Sequence, residues 1–111
     1  MEVFVTFGTE DSYLQIAQYY NDIVNQLELY NMNDIILLHE GLRTMVNLHS
    51  LEGHFLFEGD TFQMEKGATT GDFIYIFHKT EPANYILLPL DFLRDLVDEL
   101  THVLDSENKE N

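Results

Sequence analysis

The chain contains no cysteine and no tryptophan, only two prolines, and only five lysines and arginines among its 111 residues. Each shortage excludes something. Without cysteine there is no disulfide framework, no thiolate metal site and no cysteine nucleophile, a composition that suits a reducing compartment. No apolar run approaches the roughly 20 residues that a membrane-crossing helix requires. The opening "MEVFVTFGTED" carries an acid at position 2 and no basic stretch, unlike a secretory signal. These absences point to a soluble, cytoplasmic protein. The shortage of Lys and Arg argues against direct binding to DNA, RNA or anionic lipid, whose phosphates are held by those side chains.

What is plentiful is acid. Twenty Asp and Glu give a formal net charge of −15. The first 42 residues hold seven acids and no Lys or Arg, so that Arg43 is the first base of the chain. Eight more acids lie between residues 81 and 111, against two bases. The excess is thus spread over the body of the chain and not gathered in a tail. Such a charge favours solubility while it costs stability through self-repulsion. Any partner selected by charge must be basic. Hydrophobic residues make up 45% of the chain, eight Phe and six Tyr among them, enough for one compact core.

The pattern of apolar residues predicts the elements. "EVFVTF" (2–7) alternates as a strand does. Ser12 with Gln15 three residues on resembles a capping box. Beyond it Tyr13, Ile16, Tyr20, Ile23, Val24 and Leu27 recur at helical spacing, predicting a helix over 12–30. Residues 33–50 are divided. Ile35, Leu38, Leu42 and Met45 fit a helix, yet "IILL" and the interruption at Gly41 favour two short strands. In "HFLFEGDTFQME" (54–65), Gly59-Asp60 marks a two-residue hairpin loop, pairing Phe57 with Phe62 and Phe55 with Met64 on one face. "DFIYIFHK" (72–79) and "YILL" (85–88) complete a four-stranded meander. Pro89 then opens a helix over 90–104, with Phe92, Leu93, Leu96, Val97, Leu100, Val103 and Leu104 as its apolar stripe. The expected fold is α+β: an antiparallel sheet of about four or more strands with one helix from the N-terminal half and one C-terminal helix packed on it. A single domain over 1–104 would be followed by a polar, frayed tail over 105–111.

Within the closing helix, Asp91, Asp95, Asp98, His102 and Asp105 step by four, three, four and three, so they stack along one face with Glu99 beside them. Amphipathic helices ordinarily carry charge outside. Here, however, Arg94 is the only base between 90 and 108. Along the axis the row is sparser than the phosphates of a nucleic-acid strand, which recur about every 3.4 Å. Imitation of a duplex would therefore need a second row from elsewhere. Glu58 and Asp60 at the hairpin turn, and Tyr19 beside Tyr20, are candidate secondary contacts, anionic and aromatic respectively.

No constellation predicts catalysis. Glu99-Leu100-Thr101-His102 has the E-x-x-H spacing of di-iron sites, but those need two such motifs and further glutamates on facing helices. Asp98 with His102, or His39 with Glu40, is at most a weak pair of ligands, and no metal or cofactor is expected. The histidines at 39, 49, 54, 78 and 102 have no nucleophile partner. "KGATTGD" (66–72) lacks the G-K-[ST] ending and following helix of a phosphate loop. The composition favours a non-enzymatic protein that covers a basic, nucleic-acid-binding surface of a partner protein through Asp91, Asp95, Asp98, Glu99 and Asp105. That is the habit of DNA-mimic, phage anti-defence and nuclease-immunity inhibitors. The alternatives are a small-ligand or metal-binding domain, or a single-strand-binding sheet that offers Phe73, Tyr75 and Phe77 for stacking.

Overall fold

The computed structural model describes residues 2–8, 12–47, 55–66, 73–81 and 83–109. Three strands come first: β1 (Glu2–Gly8), β2 (Tyr13–Tyr20) and β3 (Ile23–Leu29), paired antiparallel in that order. Helix α1 (Met32–Asn47) follows. Strands β4 (Phe55–Glu58), β5 (Phe62–Lys66), β6 (Phe73–His78) and β7 (Tyr85–Pro89) then form a second antiparallel meander. A 3-10 turn over Leu90–Phe92 leads into α2 (Leu93–Lys109). The class is α+β with antiparallel strands and two helices, as the sequence predicts, but the strands form two sheets where one was expected. The four-stranded meander and the helix after Pro89 are where they were expected, although α2 runs past 104 to Lys109.

Two elements differ from expectation. Residues 12–30 form a hairpin, not a helix. Tyr20 pairs with Ile23, leaving Asn21-Asp22 as a two-residue loop with Asn21 at φ 55°. A two-residue hairpin loop needs a left-handed first residue, and Asn adopts that backbone more readily than most. Ser12, expected to cap a helix, sits between β1 and β2 at φ 50°. The apolar spacing also satisfies period two. Leu14 and Ile16 on β2, and Leu27 and Leu29 on β3, are all buried. Short apolar runs fit both periods until their partners are known.

Residues 32–47 are one helix, not two strands. Asn31 opens it, its side-chain oxygen accepting from the Asn33 N–H at 2.8 Å and its carbonyl from Ile35 N–H at 3.0 Å. Ile35, Leu38, Leu42 and Met45 all face the core. Gly41 does not break the helix but lets it approach the second sheet. A Cβ there would lie 2.7 Å from the Phe57 ring and 3.2 Å from the Met64 methyl.

The β4–β5 hairpin keeps Phe57, Phe62 and Met64 on one face, as expected, but not in the expected pairs. Gly59 N–H donates to the Phe62 carbonyl at 3.0 Å, so the loop is Asp60-Thr61. Phe57 therefore pairs with Met64, and Phe55 with Lys66. A register change of two leaves side chains on the same side of the sheet, whereas a change of one would have turned them outward. The loop is held from α1. The buried carboxylate of Asp34 accepts from Asp60 N–H at 2.8 Å, Thr61 N–H at 3.1 Å and the Thr61 hydroxyl.

The sheets meet at edges, not only at faces. β3 is an edge of the first sheet and β7 an edge of the second. Two carboxamides join them. The Gln18 side chain accepts from Leu87 N–H at 3.0 Å and donates to the Leu87 carbonyl. Reciprocally, the Asn84 side chain accepts from Glu28 N–H at 2.8 Å and donates to the Glu28 carbonyl at 3.5 Å. Each amide stands in for a strand residue and satisfies backbone groups that an edge would leave open. One apolar core spans both sheets and both helices, from Leu14 and Leu27 through Ile35, Met64 and Ile76 to Leu100.

Candidate partner-binding surface

The C-terminal helix buries Leu93, Leu96 and Leu100 and packs on α1. Its stripe fixes the opposite face outward. Asp91, Asp95, Asp98, Glu99, His102 and Asp105 are all exposed. Among the described residues, none of these carboxylates is hydrogen-bonded or ion-paired. Asp98 has cationic neighbours, since it lines a groove of about 370 Å³ between the helices with Arg43 and Arg94.

Several acids elsewhere have structural employment, while the carboxylates of Glu2, Asp22, Glu40 and Glu81 are, among the described residues, exposed without hydrogen bond or ion pair. Glu28 accepts from Tyr30 at 2.5 Å, Tyr13 at 3.2 Å and Gln26 at 2.9 Å. Its bond to Tyr30 pushes that phenol up to about 12. Burial, and then the charge of Glu28, raise the Tyr13 phenol as well. Glu65 accepts from Gln63 at 2.6 Å, and Asp34 latches the hairpin loop. Glu58 is exposed but ion-paired to Lys79 at 2.9 Å. Asp60 is exposed, and its backbone is held by Asp34. These are not gathered beside the α2 row. Glu58 and Glu65 project from the outer face of the second sheet, opposite to the side on which Phe57 and Met64 meet α1.

Tyr19 and Tyr20 project from opposite faces of β2, and both are exposed. Tyr19 packs edge-on to Phe4 at 5.5 Å on the outer face of the first sheet. Tyr20 turns towards the second sheet. There, with Ile23, Phe73, Leu87 and Phe92, it lines an apolar groove of about 570 Å³ that also takes in Asp91, the first acid of the row. The spacing of the sequence held no sign of this groove, because its residues come from three separate stretches of the chain, 18–25, 73 and 87–92.

On the outer face of the second sheet, Phe73, Tyr75 and Phe77 do share one side of β6. Tyr75 lies 4.8 Å from Phe77 and stacks on Tyr85 at 5.7 Å. His39 is buried between the helices, its Nε2 2.7 Å from the Thr101 hydroxyl, which in turn donates to the Val97 carbonyl at 2.8 Å. With that hydroxyl proton committed, Nε2 is the donor to Thr101. Burial, and next the charge of Arg43, lower the imidazole pKa, while Asp105 and Glu40 oppose them. His39 is thus a packing residue. No group of three His, Asp or Glu is placed to hold a metal among the described residues. His49, His54 and most of the 66–72 connection lie outside the described residues. No described helix is long and apolar enough to cross a membrane.

No protein-family model and no curated protein matches the chain.

Proposed function

We propose that this is a non-enzymatic binding protein whose α2 face covers a basic surface of a partner protein, of the kind that otherwise holds nucleic acid. The carrying observation is that unbonded acids, scattered singly elsewhere along the chain at Glu2, Asp22, Glu40 and Glu81, are gathered into a row at the C-terminal helix. Glu28, Asp34, Glu58 and Glu65 are bonded within the fold, while Asp91, Asp95, Asp98, Glu99 and Asp105 stand exposed without such bonds. Like charges three and four apart on a helix cost about 0.2–0.5 kcal/mol per pair. The pairs 95–98 and 95–99 within α2 are therefore repulsive, a cost that contact with a basic partner would relieve. Imitation of two nucleic-acid strands is the weaker form of this reading, because Glu58 and Glu65 project from the other side of the second sheet.

The test is a pull-down from nuclease-treated lysate with tagged protein, washed at rising salt. A basic nucleic-acid-binding protein should be retained at low salt and leave at high salt or on addition of DNA. The triple variant Asp91→Lys/Asp95→Lys/Asp98→Lys should lose it while keeping its circular dichroism spectrum. Retention of the same partner by the triple variant would place the contact elsewhere.

The β6 face supports a second reading. Phe73, Tyr75, Phe77 and Tyr85 form an aromatic platform that single-stranded nucleic acid can stack on. Against it, Glu58 and Glu65 share that face, and Lys79 is paired to Glu58. Absence of anisotropy change for a labelled oligonucleotide at low salt would end it.

A further inference from the structure

The groove at the junction of the two sheets faces solvent through unusually large apolar side chains. Tyr20 is 57% exposed, Ile23 58% and Phe73 40%, and all three converge there from the β2–β3 hairpin and β6. Leu87 and Phe92 contribute to the lining, and no Lys or Arg does. Asp91 lies within it, and Asp22 is exposed beside Ile23 in the hairpin loop. An apolar floor with acids at its margin suits a side chain that is apolar but carried between cations. A second copy of this chain does not fit, because each copy brings a net charge of −15. Nucleic acid and anionic lipid fail for the same reason.

We propose that this groove anchors an aromatic side chain flanked by lysine or arginine on the basic partner, with Asp91 joining the groove to the acidic face of α2. The inference rests on the proposed function for the partner's charge and adds the feature that gives the contact specificity. Rows of exposed charge steer encounter and set salt dependence, whereas a desolvated aromatic anchor supplies most of the hold.

The experiment uses the whole chain, labelled with ¹⁵N, and three acetylated pentapeptides: Lys-Lys-Phe-Lys-Lys, Lys-Lys-Ser-Lys-Lys and Glu-Glu-Phe-Glu-Glu. The first should shift the amide signals of Tyr20, Ile23, Phe73 and Phe92 and bind more tightly than the second by about tenfold. The third should shift none of them. Ile23→Asp adds an acid at an exposed loop margin, which strengthens any purely electrostatic contact with a cationic peptide. If it weakens the first peptide by about tenfold instead, the apolar floor is the anchor. Equal binding of the Phe and Ser peptides, with shifts confined to residues 95–105, would overturn the groove and leave the acidic-face reading standing. An absence of any shift at millimolar peptide would also overturn the groove. The acidic face would then be judged separately, by the triple variant in the pull-down.

Discussion

Asp34 is the acid on which the fold most depends. It is buried in the first turn of α1, where the helix dipole favours a negative charge, and it receives three donors from the loop between β4 and β5. Asp34→Ala should lower unfolding free energy by about 2–3 kcal/mol, because those donors lose a charged acceptor. Chemical denaturation reads this directly. Gly59→Ala should act on the same latch, since an added Cβ would lie 2.5 Å from the Asp34 carboxylate and meet the Phe62 ring more closely still. His39 makes stability depend on pH. Its folded pKa lies below the ordinary 6.5, so above 6.5 it is neutral in both states. As pH falls through 6.5 the unfolded chain takes up the proton first, and stability is lost until the folded value is passed. Relief of acidic self-repulsion acts in the opposite direction. The informative measurement is therefore the difference between the native protein and His39→Gln at pH 7.5 and at pH 5. That difference should shrink or reverse at the lower pH.

Among the elements, α2 would place stability and the proposed binding in opposition. Glu99→Lys replaces a repulsive pair with Asp95 by an attractive one in the favoured acid-before-base order, and should stabilise the helix by about 0.5 kcal/mol. The same change should shorten the lifetime of the partner complex. A thermal melt beside a dissociation measurement separates the two effects, and a variant that gained in both would refute the opposition. The carboxamide joints between the sheets are a different case. Gln18→Met keeps volume but strips Leu87 of its side-chain partners, so about 1–3 kcal/mol of stability should be lost. If the two sheets were held by apolar packing alone, that substitution would be nearly neutral in denaturation.

Taken whole, the molecule carries a formal charge of −15 on a body with a radius of gyration of 13.5 Å. Folding concentrates that charge, and salt screens it. Melting temperature should therefore rise as sodium chloride is raised from near zero to about 0.15 M, over which the Debye length falls to about 8 Å. Complex formation should weaken over the same range. Stabilisation of the free protein together with weakening of its complex is the signature of a fold that tolerates self-repulsion for an external contact. A melting temperature indifferent to salt would mean that the charges are too well solvated to matter.

The closing helix, its acidic row and the second meander were legible from residue order because their signals are local. Pro89 ends a strand, seven apolar residues fit one stripe, and alternating aromatics surround a Gly-Asp pair. The hairpin at 13–29 and the helix at 32–47 were not. Their apolar spacings satisfy two periods at once, and burial against particular neighbours decides between them. Gly41 read as a break because a sequence does not show the Phe57 ring that requires its missing side chain. The Asp34 latch, the Gln18 and Asn84 joints and the groove at Tyr20, Ile23, Phe73 and Phe92 join residues far apart in the chain. Composition established the net charge, on which the proposal of a basic partner rests. Which carboxylates are bound within the fold and which stand free depended on tertiary contacts, because a carboxylate is engaged only by donors brought to it from other elements.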